Sequence, residues 1–309
     1  YSDSEYIWMK KYLQLEGLVY KLVPIETDLG DENPYLMGRI DSDLMYDIVM
    51  QWEWGNSESL DIYHDTETRK NSISFRSNMA RLAETLINEN KFEKAKAILD
   101  LGIEKMPLDY FGYYSLLVPF VDGYYRINEV DKAKELSQKI GQKYYERLVY
   151  FNSLEANLQY NMGEEIITEI ERYRVLVEAD LKHGENIELT PVLNKFMESF
   201  MPFKFLYGDY EFYTGLIDIA EGYFLDGEIE LAQDLASKIS AEYDKRLGLY
   251  NQVSKDSQRQ IIDRIQRELS SFNYVVQIVK AYDSTEFGDQ IESIFNKNLD
   301  LFSSVLSEE

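Results

Sequence analysis

Carboxylates are the most abundant side chains in this sequence that could carry chemistry. Aspartate and glutamate account for 56 of the 309 residues, and a pair of carboxylates is the catalytic equipment of most glycoside hydrolases. Most of these acids must lie on solvated surface, so the composition singles out no particular pair. His64 lies between Asp61 and Asp65. It could act as a general base, or belong to an ordinary surface loop.

Two acidic stretches resemble fragments of calcium loops: Asp28-Leu29-Gly30-Asp31-Glu32 and Asp41-Ser42-Asp43. Neither belongs to a loop of about twelve residues with the central glycine and terminal glutamate of an EF-hand, so we expect solvated acidic loops. The sequence has no cysteine and two histidines, which excludes thiolate nucleophiles and cysteine-based metal sites. It has no P-loop, G-x-S-x-G or G-x-G-x-x-G motif. We therefore expect no catalytic residue, no cofactor and no metal ligand in this chain.

Aromatic residues make up 14% of the chain and include 25 tyrosines. Trp52 and Trp54 could pack the N-terminal segment against the helices that follow, or could offer a platform to a sugar ring. Tyr113, Tyr114 and Tyr124 are our candidates for partner binding on the helical region. The alternative for all of them is packing, with the ring buried and any polar group at the rim.

The formal net charge of −24 argues against two classes of partner. A chain of this sign repels the phosphates of nucleic acids, is disfavoured at anionic membrane surfaces, and contains no basic stripe that would offset this. The charge is concentrated in residues 26–67, which hold 12 acids and a single base, Arg39. No apolar run approaches the roughly 20 residues that span a bilayer.

The pattern of the chain changes near residue 70. We expect residues 1–70 to form an acidic segment with short elements packed on the rest, and residues 71–309 to form one helical domain. In the first segment a strand over 18–23 competes with a helix over 6–15, and Asp41 or Ser42 can cap a helix. Helices are then predicted over 72–89, 92–105, 112–127, 130–145, 147–160, 163–182, 188–206, 209–225, 228–244, 255–281 and 286–306.

Three of the predicted helix pairs share one pattern. Each has an apolar first helix, a short turn, and a second helix with a small residue near its start: Ala95, Ala133 and Ala232. A small residue there lets two helices cross closely. The sequence therefore predicts an all-α fold of tetratricopeptide-like helical hairpins, an α-solenoid, with a small irregular N-terminal segment. Residues 147–206 fit either a degenerate helix pair or a longer hairpin.

Several stretches, taken in order, resemble a known family. They begin with Tyr12-Leu-Gln-Leu-Glu-Gly-Leu-Val-Tyr-Lys-Leu-Val-Pro-Ile25, and continue with Met45-Tyr46-Asp47, Trp54-Gly55-Asn56, Phe75-Arg76 and Ala80-Arg81-Leu82-Ala83. Together they resemble the C-terminal soluble part of large bacterial polytopic membrane proteins. The membrane domain of that family is similar to protein O-mannosyltransferases, and the family is grouped as a domain of unknown function and as glycosyltransferases, family 117-like. The resemblance covers residues 10–135.

The resemblance implies a context rather than a reaction. The family's catalytic residues belong to the membrane domain, so none is carried over to this chain. We expect a non-catalytic interaction or scaffold domain on the periplasmic side of the inner membrane. It would be attached to the membrane domain and would bind a protein or glycan partner in its groove, and nucleic acid is not expected. Two alternatives stay open: a free-standing glycan-binding surface lipoprotein of the starch-uptake type, and an autonomous hydrolase.

The gene sequence upstream of Tyr1 separates the first two hypotheses. Because the chain starts at Tyr1 rather than at Met, we expect it to be a fragment or a processed product. About a dozen hydrophobic spans upstream would support the membrane glycosyltransferase. A lipoprotein signal peptide that ends in a cysteine would support the surface lipoprotein instead.

Overall fold

In a computed structural model of the protein, residues 7–28, 37–183, 189–207, 209–283 and 286–306 are described. Over these residues the fold is mainly helical, with fourteen α-helices and a small sheet near the N-terminus, which confirms the predicted helical class. None of the described helices is both long enough and apolar enough to cross a membrane. The chain divides into two compact units, Tyr1–Ile140 and Gly141–Glu309, and each is described by itself.

The first unit contains the sheet and the helices that hold it. After a 3₁₀ helix at Ile7–Tyr12 its elements are β1 (Leu13–Glu16), β2 (Val19–Leu22), β3 (Arg39–Ile40), α1 (Ser42–Met50), α2 (Thr66–Asn88), α3 (Phe92–Lys105), α4 (Leu108–Phe111), a 3₁₀ helix at Tyr114–Leu117, and α5 (Val118–Arg126). Helix α6 (Val130–Asn152) carries the boundary between the units. The predicted boundary at residue 70 falls inside α2.

The second unit is entirely helical where it is described. Beyond α6 its elements are α7 (Ala156–Asn161), α8 (Gly163–Lys182), α9 (Leu189–Phe200), a 3₁₀ helix at Met201–Leu206, α10 (Asp209–Leu225), α11 (Ile229–Asn251), α12 (Lys255–Gln260), α13 (Ile262–Tyr282) and α14 (Glu286–Leu306). The predicted break between helices at residue 146 is wrong. Tyr144, Leu148 and Phe151 are buried at helical spacing, so α6 continues to Asn152.

The N-terminal sheet has the strand order β2-β1-β3. Strands β1 and β2 form an antiparallel hairpin in which Leu15 pairs with Tyr20, and Gly17 at φ 68° makes the tight turn between them. The predicted competition between helix and strand is thus resolved: a 3₁₀ helix ends at Tyr12 and strand β1 follows. Leu15 is fully buried, whereas all four residues of the edge strand β2 are exposed.

Part of the acidic segment is neutralised by lysines from the helices beside it. Asp41 caps α1 by accepting a hydrogen bond from the backbone N–H of Leu44 at 3.1 Å. Asp43 pairs with Lys91 at 2.7 Å and with Lys94 at 2.6 Å. Hydrogen bonds from these two lysines lower the pKa of Asp43 to about 2. The charge at the start of α1 is therefore tied into the first helical hairpin.

The turns before α3, α6 and α11 have one geometry. Asn90, Asn128 and Gly227 occupy equivalent positions at φ 59°, 63° and 81°. In the first turn the N–H of Lys91 donates to the carbonyl of Leu86 at 2.8 Å, and the equivalent bonds at Glu129 and Glu228 are both 2.9 Å. This is the Schellman arrangement, which asparagine and glycine favour because they tolerate a left-handed backbone. The shared turn pattern predicted from the sequence is present in the structure.

The second unit contains two copies of one arrangement, and each residue of the first lies 99 positions before its equivalent. We call residues 141–207, apart from 184–188, the first copy, and residues 240–306, apart from 284–285, the second copy. Tyr144 stacks on Tyr173 at 5.7 Å between ring centroids, and Tyr243 stacks on Phe272 at 5.5 Å. The architecture of residues 147–206, open at the level of sequence, is thus the first copy of a larger repeat. That repeat includes the short helices α7 and α12.

Two glycines of the second unit offer a matched test of the packing. A methyl group on Gly222 in α10 would lie 2.6 Å from Leu193 and 2.7 Å from Leu181, whereas one on Gly248 in α11 would meet nothing within 4 Å. We expect Gly222→Ala to lower the free energy of unfolding by ~1–3 kcal/mol through overpacking. We expect Gly248→Ala to raise it by about 0.4–1 kcal/mol by restricting the unfolded chain.

Urea denaturation of both variants, followed by circular dichroism, checks this pair. Equal effects in the two variants would contradict the close approach of α10 to the helices around it.

Candidate binding sites

The two tryptophans that the sequence analysis singled out lie in an aromatic cluster. Trp52 and Trp54 meet edge-on with ring centroids 5.6 Å apart, and they lie 5.0 Å and 5.4 Å from the ring of Phe75 in α2. A methyl group on Gly17 would lie 3.1 Å from Trp52. The rings are half-buried and connect the end of α1, the hairpin turn and α2. This is the contact expected if the tryptophans serve packing.

The three tyrosines predicted to bind a partner do not form one site. Tyr113 and Tyr114 lie at the turn before α5, where Tyr113 has φ 50°. Tyr124 is 3% exposed, and its hydroxyl donates to Asp100 at 2.8 Å. Burial is the main cause of its raised pKa. Tyr124 lines a cavity of about 540 Å³ with Asp100, Lys132 and other residues of α3 and α6, and Tyr113 and Tyr114 are not part of that lining.

The contacts of His64 hold its backbone and its ring in place. Its backbone N–H donates to the hydroxyl of Tyr110 at 2.7 Å, and that hydroxyl donates to the carbonyl of Ile62. The ring atom Nε2 lies 3.2 Å from the carbonyl oxygen of Ser57, so Nε2 carries the proton and donates. The ring also packs 5.2 Å from Phe111. A histidine held in this way is poorly placed to act as a general base.

No metal site is apparent in the part of the chain that the structure describes. Over those residues, no three histidine, aspartate or glutamate side chains are grouped so that they could hold a metal ion. Of the calcium-loop fragments, Asp31 and Glu32 lie outside the described residues, and Asp41 and Asp43 serve the cap and the lysine pairs of α1.

A groove with both apolar and charged lining residues lies between α2 and α5 in the first unit. It has a volume of about 310 Å³ and an apolar base that includes Ala80 and Leu116. Three of its charged residues are paired with each other, whereas Arg81 bonds to the N-terminal segment. Arg126 donates to Asn88 at 2.5 Å and lies 3.5 Å from Glu84 and 3.6 Å from Asp122. Sequence reasoning missed these residues, although Glu84 and Asn88, and Asp122 and Arg126, have the spacing of one helix face.

A cavity with aromatic walls lies in the second unit among α8, α9 and α10. Its volume is about 510 Å³, within the usual range for small-ligand sites. Ile167, Ile170, Phe196, Phe200 and Leu206 supply its apolar walls. Its polar lining residues are Glu171, Arg174, Tyr207 and Thr214.

Arg174 organises the charges at this cavity. Its Nη2 lies 2.7 Å from Glu171, and its Nη1 lies 3.0 Å from Glu178 and 3.7 Å from Asp218. Three carboxylates thus surround one guanidinium group. Burial raises the pKa of Asp218 to about 6, although Arg174 acts in the opposite direction. Asp218 does not line the cavity, so it is not placed to exchange a proton with a bound molecule.

The hydroxyl of Tyr207 is buried at the cavity and has no hydrogen-bond partner in the described part of the chain. Burial, followed by the negative charge of Glu171, raises the pKa of Tyr207. A buried hydroxyl without a partner normally indicates a water molecule or a ligand group.

Comparison with known proteins gives one local match. The family model described as TMEM260-associated domain 2 matches residues 1–44, the part of the chain that contains the sheet. Neither the curated proteins nor the solved structures give a match. The finding shows a relation at the N-terminal segment.

The raised pKa of Asp218 predicts a pH-dependent stability. Between pH 4 and 6 the folded chain holds a proton on Asp218 that the unfolded chain has lost, so this group lowers stability as the pH rises. We expect Asp218→Asn to gain stability relative to the wild type between pH 4 and pH 7.

Chemical denaturation of both proteins across this range measures the difference. Asp226→Asn is the matched control. Partial burial of Asp226 acts against ionisation, but hydrogen bonds from Thr190 and Leu189 lower its pKa, so this variant should lose relative stability as the pH rises through about 4. If the free energies of unfolding of the wild type and Asp218→Asn differ by the same amount at every pH, the prediction is contradicted.

Proposed function

We propose that this chain is a non-catalytic interaction domain of a membrane-bound glycosyltransferase, on the periplasmic side of the bacterial inner membrane. Its helical hairpins form a tetratricopeptide-like repeat, an α-solenoid, and its groove binds a protein or glycan partner. The observation that carries the proposal is the groove between α2 and α5, the first helices of two hairpins whose turns have the same geometry. Solenoid repeats commonly bind partners on such surfaces.

The chemistry of the groove supports binding rather than catalysis. Arg126 is held by Asn88 and lies beside two carboxylates, so its charge is already compensated. Exposed ion pairs of this kind contribute little to stability, and they can be exchanged for contacts to a polar partner. Electrostatic complementarity of this type mainly sets specificity and the rate of association.

The relation to a membrane protein rests on the N-terminal segment. That segment matches the TMEM260-associated family model, and it is firmly attached to α2. Arg81 donates to the Tyr20 hydroxyl at 3.0 Å and to the carbonyls of Met37 and Gly38 at 2.8 and 3.1 Å. Asn78 donates to the carbonyl of Gly17 at 2.8 Å. A domain attached at this segment would therefore be coupled to the groove through α2.

A glycan-binding surface lipoprotein of the starch-uptake type is the alternative proposal, and the ligand distinguishes the two. Mannose oligosaccharides fit a partner related to O-mannosyl transfer, and maltose oligosaccharides fit starch uptake. Titration of the chain with both series, followed by calorimetry, separates the two glycan ligands. If neither series of oligosaccharides binds, the proposed partner is a protein.

The groove itself is tested by a pair of tryptophan substitutions on α2. Ala80 lines the groove, whereas Ser74 is exposed on the same helix and is not part of the lining. We expect Ala80→Trp to fill the groove and to weaken binding of the oligosaccharide or protein partner by at least about tenfold. We expect Ser74→Trp to bind as the wild type does.

The measurement is calorimetry, or cross-linking of the full chain to its partner, with circular dichroism to verify folding. Equal binding by both folded variants would place the interaction elsewhere on the chain.

A further inference from the structure

The two copies in the second unit separate residues that the fold requires from residues that it does not. Arg147 pairs with Glu169 at 3.1 Å, and its equivalent Arg246 pairs with Glu268 at 2.7 Å. Gln159 donates to the carbonyl of Leu154 at 2.9 Å, and its equivalent Gln258 donates to that of Val253 at 3.3 Å. These identical residues make identical contacts, so they belong to the scaffold of the copy.

The polar residues of the 510 Å³ cavity behave differently. Glu171, Arg174 and Tyr207 in the first copy correspond to Ser270, Asn273 and Leu306 in the second. The second copy keeps the same ring contact next to this position. Phe295 meets Phe272 edge-on at 5.6 Å, as Phe196 meets Tyr173 at 5.2 Å. The fold is thus built without the acid, the guanidinium and the phenol, which makes these three groups specific to the cavity.

The charges at the cavity select the kind of ligand. Glu171, Glu178 and Asp218 surround Arg174, and of these carboxylates Glu171 is the one that lines the cavity. The four side chains together carry a negative charge near neutral pH. Because its charge is already compensated, Arg174 is a poor receptor for an anion. The cavity therefore favours a ligand that donates hydrogen bonds and carries positive charge.

The aromatic walls and the Tyr207 phenol further restrict the ligand that the cavity favours. Phe196 and Phe200 present aromatic walls, and Tyr207 lies 5.4 Å from Phe200. Aromatic rings attract cations, and apolar walls bury an aliphatic stem. The Tyr207 hydroxyl is buried beside Glu171 and makes no close hydrogen bond to the described residues, and an ammonium group has three donors to offer.

We propose that this cavity binds an ammonium group carried on an apolar stem, as in the lysine side chain of a partner protein or in a free alkylamine. The ammonium group would lie between Glu171 and the Tyr207 hydroxyl, and the stem would lie against Phe196 and Phe200. This deepens the proposed function and rests on it, because it names the chemistry by which an interaction domain would hold its partner. The site is separate from the groove between α2 and α5.

Three probes with one stem test the charge requirement. The full chain is titrated with n-hexylamine, 1-hexanol and hexanoate at pH 7.5, and binding is followed by ligand-observed NMR. We expect hexylamine to bind at least about tenfold more tightly than hexanol, and hexanoate not to bind. Equal binding of hexanol and hexylamine, preference for hexanoate, or no binding of hexylamine would overturn the proposal.

Substitutions copied from the second copy test the residues, since the fold already accepts them there. We expect Glu171→Ser to weaken hexylamine binding by about tenfold and Arg174→Asn to strengthen it several-fold, because it removes the competing cation. Glu165→Ser, an exposed position on α8, is the control for net charge and should leave binding unchanged. Loss of binding in Arg174→Asn, or an equal loss in Glu165→Ser, would overturn the assignment.

A blocked lysine, N-acetyl-lysine-N-methylamide, distinguishes the source of the amine. Tighter binding of the blocked lysine than of hexylamine indicates a partner protein, and the reverse order indicates a free amine. If hexylamine does not bind while Ala80→Trp still abolishes partner binding, the cavity assignment fails and the proposed function stands. If the cavity binds amines and Ala80→Trp changes nothing, the proposed groove fails instead.

Discussion

A buried glutamate paired with an arginine from an earlier helix sets the geometry of both copies in the second unit. Glu169 is 3% exposed and Glu268 is 1% exposed, so each carboxylate has lost nearly all contact with water. A charge in that position is tolerated only when a partner holds it. Arg147 and Arg246 supply that partner. Arg246 is itself buried, and removing one member of a buried pair typically costs about 3–5 kcal/mol. The pairing fixes how α6 meets α8 and how α11 meets α13.

The helices and their turns could be read from the sequence because local signals specify them. Apolar spacing predicted α3, α8 and α10 with nearly correct ends, and Asn90, Asn128 and Gly227 marked turns that require a left-handed residue. The longer repeat was missed because the sequence was searched for single helical hairpins, which were aligned on Ala95, Ala133 and Ala232. The identical Arg, Glu and Gln positions lie 99 residues apart and have no local signature. The sheet was harder to predict, since a four-residue strand such as β1 is decided by its partner strands and not by its own sequence.

The candidate sites could not be read from residue types alone. The aromatic residues that the sequence analysis singled out have different roles in the structure. Trp52 and Trp54 lie in a packing cluster, and the buried Tyr124 donates a hydrogen bond to Asp100. The residues of the two candidate sites come from several helices that only the fold brings together, and charged residues at helical spacing are ordinary in a chain of this composition. A comparison of Glu171 with Ser270 and of Arg174 with Asn273 is the one sequence signal that would have distinguished them, and it needs the repeat to be known first.

The N-terminal segment shows that a unit of sequence relatedness need not be a unit of folding. The family match ends at residue 44, yet the partners that hold this segment lie beyond it: Trp52 against Gly17, Asn78 on the Gly17 carbonyl, Arg81 on the edge strand, and Lys91 and Lys94 on Asp43. Separated from those helices, the sheet would keep its own ladder and lose every one of these anchors. A two-stranded hairpin with a short third strand is at best marginally stable by itself. The stretch that the family model matches therefore depends, in this chain, on helices that lie outside the match.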